Sequence, residues 1–347
     1  MSGSRAAGPP PFVVAVVGPT ATGKSDLALD LAERLGHDAP GGAEIVNADA
    51  FQLYRGMDVG TAKVPVDERR GIVHHQLDVV DPEDDASVAR YQEDARADLD
   101  AIASRGAVAV VVGGSGLYVR ALLDVMDFPG TDAAVRAALE ERAEREGRLA
   151  LHAELARLDP QAADAIGPHN TRRIVRALEV VEITGRPYTA NLPRQEYVRP
   201  AVQLGLDCDR EVLDARVAGR VARMWDGGLL AEVERLAPRL GRTASRAVGY
   251  AEVLDAFAGR CTPDQAREAI VANTRRLARK QMGWFGRDPR VTWLDAQAPD
   301  LADRALAVLD DARRAPVPGG PLAGAHGGAS DGGHGADAAP VRRSLGS

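Results

Sequence analysis

The chain has 347 residues, 45% of them hydrophobic but only 4% aromatic, with a formal net charge of −7. That length suggests about two domains, or one domain with an insert, around a core of Val, Leu and Ala. The acidic balance excludes polyanion binding through overall charge, no apolar run reaches the ~18 residues of a membrane span, and residues 1–11 lack the apolar segment of a signal peptide.

In chain order, residues 1–11 and 315–347 are expected to be disordered, the latter because a run of Gly, Ala, Pro and His cannot bury enough apolar surface. Phe12 to Val17 reads as a buried parallel strand. Gly18-Pro19-Thr20-Ala21-Thr22-Gly23-Lys24-Ser25 follows it and matches the phosphate-binding pattern G-x-x-x-x-G-K-[ST] at each fixed position. A helix face carrying Leu27, Leu31 and Leu35 comes next, with Gly36 expected to stop it. Strand, glycine loop and helix together aim backbone N–H groups at one point, which favours a phosphate there. Of 43 basic residues only Lys24, Lys63 and Lys280 are lysines. A lysine kept against that bias suits a site where a compact ammonium must reach the phosphates.

Glu44 to Ala48 is a second short strand, ending at Asp49. Ser87 opens a helix with Val88, Tyr91, Ala95 and Leu99 on one face. Val108 to Val112 is a third strand, running into Gly113-Gly114-Ser115-Gly116. Alternating strands and helices predict an α/β fold, a parallel sheet flanked by helices of the P-loop type, with ligands at the carboxyl ends of the strands. From Thr131 to Gly185 the periodicity is helical only, which marks an all-helical insert. Val202 to Leu206 returns the chain to the sheet. Helices are expected over Arg210–Arg223, Gly228–Leu236, Tyr250–Phe257 and Pro263–Gly286, and a last strand over Val291–Leu294. The division is a first core segment at 12–125, the insert at 126–200 and a second core segment with basic helices at 201–314.

Cys208 and Cys261 show no metal spacing and read as reduced thiols of a cytoplasmic protein. His74 and His75 point in different directions in an extended segment and have no apparent third ligand, so a structural role is expected for them. Between Asn273 and Arg290 six basic residues face one acid, with Trp284 and Phe285 interleaved. That stretch is either a polyanion surface or a solvated helix face. A small-molecule kinase or other NTPase and a transferase that grips a diphosphate donor both fit the loop. The kinase reading needs an acid at a strand end for magnesium, and Asp49 is the one available.

The stretches GPTATGKS (Gly18–Ser25), NADAFQLYRGMDVGTAK (Asn47–Lys63), SVARYQ (Ser87–Gln92), GGSGLY (Gly113–Tyr118), RIVRALE (Arg173–Glu179) and RAVGY (Arg246–Tyr250) occur in this order, with His74-His75 and Asp78 among them. Together they resemble the bacterial tRNA dimethylallyltransferases, over about Phe12 to Leu294. The resemblance implies transfer of a dimethylallyl group from dimethylallyl diphosphate to the N6 amine of the adenosine 3′-adjacent to the anticodon of tRNA, with Mg²⁺ and release of pyrophosphate. The related adenylate (cytokinin-type) transferases are the alternative within the resemblance. It implies that Asp49 is the general base, that Ser115 and Arg246 complete the reacting centre, and that Gly18 to Ser25 hold the diphosphate with Ser25 on the Mg²⁺. It also implies tRNA contacts from Asp49, Ala50, Phe51, Gln52, Ser115, Arg136, Arg172, Arg173, Arg176, Arg279 and Lys280. A monomer without membrane contact is expected.

Overall fold

The computed structural model describes residues 12–191 and 195–314, so the disorder expected at 1–11 and 315–347 lies outside the described residues. The chain begins with β1 (Val13–Val17), α1 (Lys24–Asp38), β2 (Ala43–Asn47), β3 (His74–His75), α2 (Val88–Ser104), β4 (Val108–Gly113) and α3 (Gly116–Leu123). Four helices follow: α4 (Ala133–Glu146), α5 (Arg148–Leu158), α6 (Pro160–Ile166) and α7 (Thr171–Thr184). The rest is β5 (Ala201–Asp207), α8 (Arg210–Asp226), α9 (Leu229–Leu236), α10 (Tyr250–Phe257), α11 (Pro263–Phe285), β6 (Val291–Asp295) and α12 (Leu301–Arg314).

The strands form one parallel sheet in the order β3-β2-β4-β1-β5-β6. Continuous apolar runs such as Val13 to Val17 form strands buried on both faces. Val14, Val16, Ile45, Val110, Leu204 and Leu206 share a core with Leu27, Leu31 and Leu35 of α1 and with Ala305 and Leu309 of α12. Ala15, Val46 and Val111, at the alternate positions, are buried as well. The connections leaving β1 and β4 run in opposite directions across the sheet, which opens a crevice at their carboxyl ends. A second core joins Tyr54 and Met57 to Val221 of α8, Leu229 and Val233 of α9, Tyr250 of α10 and Ile270 of α11.

Residues Leu123–Val198 form a separate compact unit. Its core is Leu139, Leu151, Leu155, Ala163, Ile174 and Leu178. Side chains cap its helices: Asp132 accepts from the N–H groups of Ala134 and Val135, and Asn170 from that of Arg173. In the other unit Ser87 caps α2 in the same way.

Three expectations change. Gly36 does not stop α1, which continues to Asp38; a Cβ there would meet the Ala43 backbone nitrogen at 2.9 Å, so this glycine admits the start of β2. The third strand along the chain is the pair His74–His75 rather than Val108 to Val112, and it is too short to show a period. Helices α6 and α12 are additional, and the apolar spacing of Leu301, Ala305 and Leu309 is the signal for α12.

Candidate active site

Three adjacent strands, β2, β4 and β1, end at one place. The phosphate loop leaves β1, Asp49 follows β2, and Gly113 to Ser115 follow β4. Gly23 is left-handed (φ 86°) and turns the loop into α1, and Thr22 Oγ1 donates to the Pro19 carbonyl at 2.9 Å. Helix α11 braces this arrangement from the far end of the sequence. Gln281 Oε1 accepts the Thr20 N–H at 2.8 Å, and a Cβ on Gly114 would meet Gln281 Nε2 at 2.3 Å. Gln281 therefore spans the phosphate loop and the GGSG turn, and Gly114 has to be glycine for it to fit.

Asp49 is held by its own turn. Its N–H donates to Asn47 Oδ1 at 3.1 Å, and its Oδ1 accepts the Phe51 N–H at 3.0 Å. Among the described residues no other hydrogen-bond donor reaches its carboxylate, so Oδ2 is left for a substrate. Asn47 is fixed in turn by the Gln76 carbonyl at 2.9 Å. Gln52 Nε2 donates to the Thr61 carbonyl at 3.1 Å, which presents Gln52 Oε1 as an acceptor. Ser115 Oγ accepts the Ala50 N–H at 3.2 Å, so its visible role is to hold the Asp49–Gln52 turn.

Two cavities meet here. A narrow one of about 50 Å³ is lined by Thr20, Lys24, Asp49, Gln52, Arg220 and Gln281 among others. A wide one of about 950 Å³ carries Ala21 to Ser25 and a row of arginines, Arg216, Arg220 and Arg223, from α8. Lys24, Ser25, Ala62 and Arg220 line both. Burial, then the neighbouring Arg220, push the Lys24 ammonium down to about 7, against the pull of Asp49. The Arg220 guanidinium is also lowered by burial, with Asp49 opposing and Arg223 adding to the shift. Two cations crowded around one carboxylate leave net positive charge at the loop, which suits a diphosphate.

The loop over this site is locked from below. Glu232 accepts the N–H groups of Asp58, Val59 and Gly60 at 2.8–2.9 Å, together with the Tyr250 hydroxyl. Lys63 donates to the Tyr54 carbonyl, Asp58 and Asp78. The motif residues Lys63 and Tyr250 thus build the wall that carries the Thr61 and Ala62 carbonyls. His75 pairs with Glu44 at 2.6 Å and is raised chiefly by its bond to Asp98, and His74 is lowered by burial, in keeping with structural roles. Among the described residues no cluster of three His, Cys, Asp or Glu side chains is placed to hold a metal alone. Ser25 and Asp49 line the same narrow cavity, and a hydroxyl and a carboxylate there fit a Mg²⁺ that takes the rest of its oxygen shell from substrate phosphates and water.

Several of the expected contacts lie elsewhere. Arg246 is exposed in a 3₁₀ turn (Ala244–Arg246) and lines neither cavity; Arg220 occupies the position facing the phosphate loop. In the helical unit, Arg136 and Arg176 are not free. Both bind the fully buried Glu179, at 2.7 and 3.0 Å, and Arg176 also donates to the Pro129 carbonyl. Arg172 and Arg173 are exposed on the first turn of α7, and Arg279 and Lys280 are exposed on α11. The sequence reading missed Arg216, Arg220 and Arg223, although their spacing of four and three residues puts them on one helix face.

The sequence model described as "IPP transferase" matches residues 52–288. The chain is 58% identical over 301 residues to the tRNA dimethylallyltransferase of Thermobifida fusca (strain YX), covering 86% of this chain and 94% of the relative. It is 53% identical over 297 residues to that of Bifidobacterium longum (strain NCC 2705), covering 86% and 90%. Among solved structures, the tRNA isopentenylpyrophosphate transferase of Bacillus halodurans aligns with TM-score 0.62 at 36% identity, over 87% of this chain and 95% of that one. A eukaryotic dimethylallyltransferase acting on tRNA shares the fold at TM-score 0.75 and 24% identity, over 87% and 79%. With the family's sequence model matching well over half of the chain, and relatives above 50% identity aligned along most of it, the chain belongs to the IPP transferase family.

Proposed function

We propose that this protein transfers the dimethylallyl group of dimethylallyl diphosphate to the N6 amine of the adenosine 3′-adjacent to the anticodon of tRNA, releasing pyrophosphate. One observation carries the reading: a single narrow cavity holds a carboxylate, Asp49, opposite a phosphate loop with Lys24 and Arg220. The N6 nitrogen attacks C1 of the allyl group, the C1–O bond breaks, and its electron pair leaves on pyrophosphate. The N6 proton passes to Asp49 Oδ2 as the C–N bond forms, because an amine delocalised into the ring is a poor nucleophile until it loses that proton. Loop N–H groups, Lys24 and Arg220 stabilise the charge that develops on the bridging oxygen. Mg²⁺, held by Ser25 and the diphosphate, would supply further neutralisation of that charge.

The target base has to leave its stack to reach this cavity. The Asp49–Gln52 turn receives it, with Gln52 Oε1 and Asp49 as acceptors for the two N–H groups of the amine. Arg172 and Arg173 offer phosphate contacts to the tRNA stem, while Arg136 and Arg176 keep α4 and α7 together. The protein acts as a cytoplasmic monomer; among the described residues no helix is long and apolar enough to cross a membrane.

Incubation with dimethylallyl diphosphate, Mg²⁺ and unmodified tRNA, followed by nucleoside mass analysis, should show one prenyl group on one adenosine, and chelation of Mg²⁺ should stop the reaction. ATP hydrolysis without tRNA modification would support the NTPase reading, and prenylation of free AMP the adenylate-type one. Asp49→Ala should abolish transfer while tRNA binding persists. Turnover near wild type would remove Asp49 from the mechanism.

A further inference from the structure

Gln52 and Arg220 line the same narrow cavity and serve different substrates in the proposed reaction, one accepting from the amine and the other holding the diphosphate. Both are held by one atom. The Thr61 carbonyl accepts Gln52 Nε2 at 3.1 Å and Arg220 Nη2 at 3.2 Å. Among the described residues it is the one hydrogen-bond acceptor of the Arg220 guanidinium. Gln52 has a second, longer bond to the Ala62 carbonyl at 3.4 Å. One carbonyl serves two donors only while its lone pairs lie toward both. A peptide plane free to rotate would favour one donor and release the other.

The loop that carries this carbonyl is fixed from outside the cavity. Ala62 takes a left-handed φ of 49°, unfavourable for a residue with a Cβ. The N–H groups of Asp58, Val59 and Gly60 all end on the Glu232 carboxylate of α9. Oε2 accepts Asp58 at 2.9 Å and Val59 at 2.8 Å, and Oε1 accepts Gly60 at 2.9 Å together with the Tyr250 hydroxyl. Both side chains are buried. Burial, then the Glu232 charge, holds the Tyr250 phenol well above its ordinary range, so it remains a donor. A Cβ on Gly60 would meet Tyr250 Cε2 at 2.5 Å, so the loop lies against the ring. A carboxylate with four donors is a strong, directional clamp, and it acts on the residue before Thr61. Glu232 itself lines neither of the two cavities.

We propose that Glu232 is a positioning residue for the transfer: by clamping the Asp58–Gly60 N–H groups it fixes the Thr61 carbonyl, and that carbonyl registers Gln52, on the amine, against Arg220, on the diphosphate. The inference rests on the proposed transfer to tRNA and names what aligns its two substrates. Displacement at the allylic carbon needs the attacking nitrogen and the leaving oxygen in line, so the two side chains that hold them have to keep one register.

The test is single-turnover transfer at saturating dimethylallyl diphosphate and tRNA, beside tRNA binding and chemical denaturation. It compares the wild type, Glu232→Gln, Gln52→Ala, Arg220→Ala, and Glu232→Gln combined with each of the other two. Glu232→Gln keeps the shape of the side chain but turns an amide toward the N–H groups. It should slow transfer about thirtyfold, less than the ~10²-fold that a misplacement of ~1 Å costs, while tRNA binding without donor stays within about twofold. The loss should shrink below about fivefold where Gln52 or Arg220 is already alanine, whereas a general loosening of the fold would multiply through unchanged. Replacing Ala62 by lactic acid makes the Thr61 carbonyl an ester, a weaker acceptor, and removes the Ala62 N–H while leaving Glu232 in place. That form should slow transfer about tenfold, and it decides the matter if Glu232→Gln does not fold. A folded Glu232→Gln within about twofold of the wild type overturns the proposal, as does the full loss persisting in either alanine background, or an ester form as fast as the wild type. Wild-type transfer running alongside separates the two conclusions: if it proceeds and Glu232→Gln matches it, only the positioning role falls, and if it fails on tRNA, both fall.

Discussion

Lys24 and Lys63 are two of three lysines in an arginine-rich chain, and both ammonium groups lie inside the same unit. Their surroundings differ. Lys63 is buried among the Tyr54 carbonyl, Asp58 and Asp78, so its charge is answered by two carboxylates. Lys24 has the Pro19 carbonyl as its one hydrogen-bond partner among the described residues, stands beside a second cation, and is driven down to about 7 by burial. The first lysine is complete without a ligand and holds a loop in place. The second is short of negative charge, and a diphosphate supplies what it lacks. A buried cation with its partners in place is architecture, and one without them marks the site.

The largest effect that would break this contrast is on turnover. Lys24→Ala should lower kcat/KM for dimethylallyl diphosphate by about 10³-fold or more, since it removes a charge aimed at the leaving group. Binding of tRNA should stay within a few-fold. A comparable loss from Lys63→Met in single-turnover transfer would show that the two lysines are not different in kind.

Next in size is the arginine pair. Arg220→Ala should cost about 10²-fold in transfer, because Arg220 shares the cavity with Lys24 and Asp49. Arg246→Ala, at an exposed turn, should cost less than about threefold. Reversed magnitudes would return the diphosphate contact to Arg246. Arg246 drew attention because it sits in a recognisable motif, whereas a helical arginine such as Arg220 reads as a solvated face until a tertiary fold gives it a neighbour.

The same distinction governs what the sequence reveals elsewhere. Buried strands such as Val13–Val17 and caps such as Ser87 and Asp132 are local features, and they are legible. The phosphate loop and Asp49 are legible for the same reason, as each lies at a strand end. Pairings across long separations are not. Nothing near Arg136 announces Glu179, 43 residues away, so the pairing that holds this arginine is invisible in the sequence. Nothing near Thr20 announces Gln281, 261 residues away. Gly36 misleads because helix-stopping and close approach both call for glycine, and only the position of Ala43 decides between them.

On the stability side, Lys63→Met should destabilise the fold by about 2 kcal/mol. That is below the 3–5 kcal/mol typical of breaking a buried pair, because the side chains of Asp58 and Asp78 are 55% and 41% exposed and water answers part of their charge. Chemical denaturation checks this. Transfer should fall less than tenfold, through loosening of the loop that carries the Thr61 and Ala62 carbonyls.

The smallest effect is a proton, and it separates the two lysines most cleanly. Burial and the neighbouring Arg220 push the Lys24 ammonium from its ordinary value of 10.5 down to about 7. Between those values the unfolded chain holds a proton that the folded one has lost, so this group makes stability rise with pH across that window. Below pH 7 both states are charged, and the cost of burying the ammonium is felt in full. Bound pyrophosphate restores the proton by favouring the charged form. Binding at pH 8 should therefore take up nearly one proton through Lys24, and affinity should fall as pH rises above 7. Calorimetry in buffers of different ionisation enthalpy reads this uptake directly. Lys24→Arg, whose guanidinium stays charged throughout, should bind with that uptake removed, while Lys63→Met should keep it. Equal uptake in the wild type and Lys24→Arg would mean that Lys24 already carries its proton before the diphosphate arrives, and the contrast between a satisfied and an unsatisfied lysine would then rest on hydrogen bonds alone.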